Sequence, residues 1–186
     1  IYTADGETSL VDCGGAQDES GELAARYLET NGVFCVDRLI LTHLDADHCN
    51  GAAQLLSRIR VDTLYLPLTA IGEDGAMLRG IREAAREAGT QIKFVREDTE
   101  FLAKDGCITI LGPDLRESGN NGGLCVLASH EKYDILITGD LSQNAEYRLL
   151  SRYDLQDVEL LVAGLPCGND CNEDCEQQER DSCPCE

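Results

Sequence analysis

The chain of 186 residues has little of several features that would mark particular protein classes. It contains no Trp, one Met and only 5% aromatic residues. Its apolar runs are short, such as Leu39 to Leu41 and Ile135 to Ile137, whereas a membrane-spanning helix needs about 20 apolar residues. Basic residues are also few, 15 against 35 acidic ones, so the net charge is −20. This acidity argues against non-specific DNA binding through a basic face, but not against a phosphate substrate held by cations.

The residues that are present suffice for one folded domain. Apolar residues make up 42% of the chain and charged residues 27%, which is typical of a globular protein rather than a disordered or collagen-like one. The length fits a single domain with a hydrophobic core. Because the first residue is not Met, we expect the chain to be a fragment or a processed piece.

Strand and helix patterns alternate along residues 1–163, which predicts a mixed α/β domain without repeats or linkers. Hairpins are predicted at Asp5-Gly6, Asp105-Gly106 and Glu131-Lys132, and Asn50 is expected to cap a helix that carries Ala52. The other predicted elements are helices over residues 22–31, about 75–88 and about 142–152, and strands over 38–42, 63–66, 91–95 and 158–163.

The pattern changes at residue 164. The segment 165–186 holds five of the ten cysteines, is acidic and has almost no apolar residues, so it cannot bury a core of its own. Its cysteine spacings fit no zinc site. We therefore predict a domain over 1–164 and a tail over 165–186 that is disordered and dispensable, or derived from a frameshift. A genuine metal-binding or disulfide-linked tail is the alternative, and the cysteine count alone leaves the redox compartment open.

The sequence between Leu39 and Gly51 concentrates side chains that can bind metals. His43, Asp45, Asp47 and His48 lie within six residues, after an apolar strand and before a helix. In an extended loop, side chains two positions apart point the same way, so His43, Asp45 and Asp47 are expected to converge. His48, at the start of the helix, can then serve a second ion. A solvated polar loop with a capping Asp is the alternative, but four ligands at this spacing favour a metal site.

Asp140 is the fifth candidate ligand, because it ends an apolar strand and follows Gly139. A carboxylate can span two cations about 3.5–4 Å apart, and the alternative for Thr138-Gly139-Asp140 alone is an ordinary strand-to-helix turn. Three further residues are given structural or surface roles: Asp12 is expected to orient the metal loop, Cys49 to fill a buried space, and His130 to lie on the surface.

The loop from His43 to His48 resembles the signature of the metallo-β-lactamase superfamily, usually His-x-His-x-Asp-His, with Asp45 in place of the second His. This variant, followed by Asn50-Gly51, is similar to ComEC-type domains, the C-terminal metallohydrolase domains of competence DNA-uptake channel proteins. The other segments that match the family are Asp5-Gly6, Leu10 to Gly15, Asn120-Asn121 and Thr138-Gly139-Asp140.

The resemblance implies a metallo-β-lactamase-like αββα sandwich and a metal-dependent hydrolase of phosphodiesterase or nuclease type. It implies two divalent ions, Zn²⁺ or Mn²⁺, with Asp140 as the bridging ligand and with Asp47 and Asp140 as catalytic residues. The full ligand set that it implies is His43, Asp45, Asp47, His48 and Asp140. Hydrolysis of another ester, thioester or lactone is the alternative.

The resemblance also implies a cellular context. The intact domain would act on DNA on the extracytoplasmic side of a bacterial membrane, joined to a membrane channel part of the same protein but not itself inserted.

The sequence departs from the family pattern at both ends. The resemblance implies a strand and a Gly-rich turn before Ile1, and a Gly-His-His-Gly-Ser continuation after Gly164, where this chain has Leu165-Pro166-Cys167-Gly168. We therefore expect an incomplete sandwich, consisting of its first half and the strand that carries Asp140. Such a chain would bind at most one divalent ion tightly and hydrolyse a phosphodiester barely above background, or would be a non-catalytic remnant.

Overall fold

The computed structural model describes residues 1–16, 19–72, 75–155 and 157–164. Within these ranges the chain forms two five-stranded sheets. The tail predicted over 165–186, and with it the boundary at residue 164, lies outside the described residues. No helix in the described ranges is long and apolar enough to cross a membrane.

The first sheet has the strand order β1-β2-β3-β4-β5, in which β1 and β2 pair antiparallel and the remaining neighbours pair in parallel. Helices connect the parallel strands, as parallel pairing requires. The strands are β1 Tyr2–Ala4, β2 Glu7–Val11, β3 Cys35–Ile40, β4 Arg60–Pro67 and β5 Gln91–Val95, and the helices are α1 Ser20–Thr30, α2 Ala46–Cys49, α3 Ala52–Arg58 and α4 Ala76–Ala88.

The second sheet has the order β10-β9-β8-β7-β6 and is antiparallel except for the pair β9 and β10, which α5 connects. Two 3₁₀ turns, Leu68–Gly72 and Gly119–Gly122, complete the described structure. The remaining elements are β6 Thr99–Ala103, β7 Gly106–Leu111, β8 Cys125–His130, β9 Tyr133–Gly139, α5 Gln143–Arg152 and β10 Leu160–Ala163.

Three apolar clusters stack these elements into four layers. The first buries α1, α3 and α4 against one face of the first sheet, for example Leu55 and Ile81 with Leu64. The second lies between the sheets and includes Ile40 and Ile110. The third joins Ala145 and Leu149 of α5 to Leu136 and Leu111 of the second sheet. The prediction of an α/β fold with two sheets between helices is therefore confirmed.

The site lies at an edge where several strands end. β2 and β3 run in parallel with Val11 opposite Ile40, so Asp12 and the loop after Ile40 leave the sheet side by side. Thr42 lies outside β3, although the sequence predicted a strand over 38–42, because its backbone N–H donates to the Asp12 carboxylate (2.8 Å) instead of to a neighbouring strand. The strand end is thus fixed by a side chain.

The expected capping role of Asn50 is wrong. Gly51 is the N-cap of α3, and Asn50 itself has helical angles because α2 comes directly before it. The Asn50 amide instead makes two bonds to Gly15, accepting from its N–H (3.1 Å) and donating to its carbonyl (2.7 Å). These bonds join the loop after β2 to the loop after β3.

Candidate metal centre

Three side chains meet in one compact group, which we call the His43 cluster: His43 from the loop after β3, His48 from α2, and Asp140 from the end of β9. One ligand atom from each lies within 4.8 Å of the others. The Asp140 carboxylate is 3.2 Å from His48 Nε2 through Oδ1 and 3.8 Å from His43 Nε2 through Oδ2. The two imidazole ring centroids are 4.2 Å apart. Side chains that are distant in the sequence thus form a cluster with the dimensions of a metal site.

Hydrogen bonds on the far side of each ring hold the histidines in place. His48 Nδ1 donates to Asp12 Oδ2 (2.9 Å). The Thr42 hydroxyl donates its only proton to the same carboxylate oxygen (2.8 Å), so it must accept from His43 Nδ1, 3.0 Å away. With Nδ1 protonated, a neutral His43 presents a bare lone pair at Nε2. A carboxylate or hydroxyl behind each imidazole is the arrangement that orients histidine ligands in metalloproteins.

His43 Nε2 is a buried polar atom without a hydrogen-bond partner, in a residue that is only 2% exposed. Leaving such an atom unsatisfied costs about 1–3 kcal/mol, so buried nitrogens are normally paired. A divalent cation between His43 and Asp140 would occupy this lone pair. The mixed nitrogen and oxygen donor set therefore fits such a cation.

The local charge also favours a cation. The hydrogen bond to Asp12 raises the pKa of His48 to about 9, against the opposing effect of burial, and the charges of Asp12, Asp140 and Asp47 add to the rise. Near neutral pH the His48 ring is therefore positively charged: Nδ1 donates to Asp12, and Nε2 forms an ion pair with the Asp140 carboxylate at 3.2 Å. Positive charge at this point is stabilised by the surrounding carboxylates, and a metal ion would take the place of that proton.

Asp45 and Asp47 lie beside the His43 cluster rather than within it. Asp45 Oδ2 is 3.6 Å from His43 Nε2, and Asp47 Oδ2 is 3.7 Å from His48 Nε2, while both side chains are more than half exposed. The expected extended loop is wrong, because Asp45 is the N-cap of α2 and Asp47 lies in its first turn. The turn directs Asp47 towards His48 and leaves Asp45 next to His43. Their role as ligands stays a prediction.

Two glycines allow the close packing around Asp140. Gly139 has a φ of +56°, and a Cβ there would lie 3.0 Å from the Thr42 hydroxyl oxygen. A Cβ on Gly164 would overlap Asp140 Oδ1, and the Gly164 N–H donates to the Gly139 carbonyl (2.9 Å). A side chain at Gly164 would therefore collide with Asp140, and one at Gly139 would be crowded by Thr42 and strained by the positive φ.

A cleft of about 370 Å³ opens beside the cluster. Its polar lining residues are Asp12, Asp47, His48 and Asp140. The remaining lining residues are apolar or glycine: Ile137, Gly139, Val162, Ala163 and Gly164.

The three structural and surface roles expected for other residues agree with the structure, but two contributing residues were missed. Asp12 does orient the metal loop, Cys49 is fully buried, and His130 is exposed at the end of β8. Sequence reasoning missed Thr42, which orients His43, although its position directly before a candidate ligand was a usable signal. It also assigned no role to Asn121, whose side chain accepts the N–H of Ser142 (3.0 Å).

The comparisons with known proteins agree with this geometry. Residues 1–166 match the model of the metallo-beta-lactamase superfamily, and the chain belongs to that superfamily. It is 29% identical over 140 residues to ComE operon protein 3 of Bacillus subtilis (strain 168). That alignment covers 74% of this chain but only 18% of the relative, so the chain spans a small part of that protein's length.

Solved structures show the same fold. A metallo-β-lactamase mutant from Cronobacter sakazakii superposes with a TM-score of 0.61 at 12% identity, covering 87% of this chain and 69% of that one. The subclass B3 metallo-β-lactamase MEM-A1 from a soil metagenome library has a TM-score of 0.60 at 14% identity, with coverages of 88% and 71%. At these identities the likeness establishes the fold alone.

Proposed function

We propose that this domain is a divalent-cation-dependent phosphodiesterase of a ComEC-type DNA-uptake protein. The observation that carries the proposal is His43 Nε2, a buried and oriented lone pair that faces Asp140 and has no hydrogen-bond partner. Membership of the superfamily and the similarity to ComE operon protein 3 support the wider assignment.

His43, His48 and Asp140 would hold a cation, and Asp45 and Asp47 would add carboxylate oxygens from the solvent side. This mixed imidazole and carboxylate set suits Mn²⁺ or Zn²⁺. When bound, a divalent cation supplies Lewis-acid chemistry at a phosphoryl oxygen and makes water more acidic. Asp12 and Thr42 keep the imidazoles oriented, and the exposed Asp47 carboxylate in the cleft can accept a proton from an attacking water.

The charge of the cleft restricts how a phosphodiester can bind. Its described lining contains three aspartates against one basic side chain, His48, and no Lys or Arg, so the net charge of the side chains repels an anion. A bound cation reverses this local field and provides the counter-charge for a phosphodiester. The cation would therefore be needed for substrate binding as well as for reaction.

We further propose that, in the parent protein, this domain lies on the extracytoplasmic side of the membrane, beside the channel part that would deliver DNA.

The test is hydrolysis of bis-p-nitrophenyl phosphate with Mn²⁺ or Zn²⁺, before and after chelation. We expect cation-dependent turnover that is only slightly above background in the wild type and is lost in Asp140→Asn, because this change removes a charged ligand at nearly constant volume. Asp154→Asn is the matched control, since Asp154 is an exposed acidic residue outside the cleft lining.

Turnover that survives both the chelator and Asp140→Asn would contradict the proposal. A chain that binds Mn²⁺ and Zn²⁺ but cleaves no phosphodiester would also contradict it, and would fit the non-catalytic alternative.

A further inference from the structure

The 3₁₀ turn Gly119–Gly122 contacts both segments that supply the His43 cluster. Just after the turn, the Leu124 N–H donates to the Thr42 carbonyl (2.7 Å), one residue before His43. Within the turn, Asn121 Oδ1 accepts the Ser142 N–H (3.0 Å), two residues after Asp140. His43 follows a strand of the first sheet and Asp140 follows a strand of the second. The turn therefore links the two halves of the candidate metal centre.

Several contacts restrain the backbone of the turn that carries Asn121. The Thr69 hydroxyl donates to the Gly122 carbonyl (2.7 Å), and the Gly123 N–H donates to the Asn120 carbonyl (3.1 Å). Gly123 also packs against the metal loop, because a Cβ there would lie 2.9 Å from the Thr42 carbonyl oxygen. These contacts hold the backbone of the turn in place, so the Asn121 side chain starts from a fixed position within reach of the Ser142 N–H.

The bond from Asn121 fixes the segment that carries Asp140. Ser142 is the N-cap of α5 and has extended angles, so its N–H does not take part in the helix ladder. Asn121 binds this N–H on one side of the segment, while the Gly164 N–H binds the Gly139 carbonyl on the other. Asp140 lies between these two attachments.

We infer that Asn121 is a positioning residue, whose side-chain oxygen sets the distance of the Asp140 carboxylate from His43 and His48. The importance of Asn121 for metal binding rests on the proposed function. The effect of Asn121 on the backbone around Asp140 is independent of that function, because the hydrogen bond to Ser142 requires no cation.

The test compares three variants of the full chain. Asn121→Leu removes the acceptor at similar volume. Asn121→Asp keeps an acceptor, and its negative charge is favourable at the N-terminus of α5. Asn120→Leu is the matched control in the same turn, because the contact of Asn120 with Gly123 uses its backbone carbonyl.

We expect the Mn²⁺ dissociation constant, measured by calorimetry, to rise about tenfold in Asn121→Leu, as for other residues that orient metal ligands. It should stay near the wild-type value in Asn121→Asp and Asn120→Leu. The melting temperature without metal shows whether each variant is folded. Should Asn121→Leu fail to fold, Asn121→Ala takes its place with the same expectation.

An unchanged Mn²⁺ affinity in Asn121→Leu would overturn the inference, and so would an affinity in Asn121→Asp as weak as that in Asn121→Leu. If the wild type binds no Mn²⁺, the proposed function fails, and the backbone effect is read without metal by NMR. Faster amide exchange at Ser142 and shifted Asp140 amide signals in Asn121→Leu, both restored in Asn121→Asp, would then support positioning. Unchanged exchange and signals would refute it.

Discussion

Two groups of three metal-competent side chains lie at opposite ends of β3. The His43 cluster follows the end of the strand. A second group, which we call the Cys35 cluster, lies at its beginning and consists of Cys35, Asp37 and, from β4, Asp62. In each group one ligand atom per residue lies within 4.8 Å of the others. Proximity therefore does not distinguish the two groups.

The hydrogen-bond partners of the side chains distinguish the two groups. In the Cys35 cluster, Asp62 accepts from the Arg60 guanidinium (2.9 Å) and Asp37 accepts from the Thr8 N–H (2.6 Å). Burial and the neighbouring carboxylates raise the pKa of the Cys35 thiol, which disfavours the thiolate form that binds metals. In the His43 cluster, by contrast, an oriented lone pair is buried and unsatisfied. The two groups therefore differ in whether they contain a buried, oriented donor atom without a hydrogen-bond partner, and not in the distances between their side chains.

The largest effect that separates the two groups is expected in metal-dependent stability. Adding Mn²⁺ at about 100 times its dissociation constant should stabilise the fold by about 2.7 kcal/mol, because the ion binds only the folded chain. For a chain of this length, that corresponds to a rise of about 5–10 °C in melting temperature. His43→Ala should abolish the rise, as measured by differential scanning calorimetry with Mn²⁺ and with chelator.

His130→Ala is the control for this measurement, since His130 is an exposed histidine on the β8–β9 hairpin. It should keep the full shift. A shift of equal size in His43→Ala would show that Mn²⁺ binds elsewhere, with the Cys35 cluster as the first alternative.

A smaller effect is expected from Asp12, which orients His48 without belonging to the cluster. Asp12→Asn preserves the size of the side chain but removes the charge that faces the imidazole. We expect the Mn²⁺ dissociation constant from calorimetry to rise about 10–100-fold. Asn tolerates the left-handed backbone of Asp12 (φ +53°), so backbone strain does not confound the result.

Asp5→Asn is the matched control, because Asp5 also has a positive φ (+52°) but lies in the first hairpin, where it accepts the Lys104 N–H. Equal Mn²⁺ affinities of the two variants would mean that the charge behind His48 does not matter for the site.

The sequence predicted those parts of the molecule that depend on local pattern. The apolar runs ending near Leu41 and at Thr138 indicated two strand ends, and the carboxylate of Asp140 indeed lies 3.2 Å from His48. Gly89, with a φ of +73°, ends α4 at the predicted position. These features follow from hydrophobic periodicity and turn chemistry within a few residues.

The features that the sequence did not predict depend on contacts between distant segments. Asn121 and Ser142 are 21 residues apart, and Thr42 and Asp12 are 30 apart, so neither pair has a periodic signal. The sequence predicts that Asp12 orients the metal loop, but not that Thr42 is the residue it contacts. The one-turn helix α2 is too short for a hydrophobic pattern, which is why an extended loop was expected for Asp45 and Asp47. Tertiary hydrogen bonds, rather than local propensity, determine this part of the site.

The smallest effect is expected at the Cys35 cluster, where Asp62→Asn should leave both stability and metal affinity unchanged. Asp62 and Arg60 form a surface pair with side-chain exposures of 41% and 74%, and such exposed pairs contribute little. We therefore expect a change in unfolding free energy within about 0.5 kcal/mol.

Zn²⁺ is the more stringent probe of metal binding at the Cys35 cluster, because thiol groups suit it better than they suit Mn²⁺. Calorimetric titration of Zn²⁺ into Asp62→Asn should give the wild-type stoichiometry and affinity, as should Cys35→Ser. The contrary result would be that Asp62→Asn binds one Zn²⁺ fewer than the wild type while His43→Ala still binds that ion. It would show that three nearby donors can form a metal site even when none of them is an unsatisfied, oriented atom.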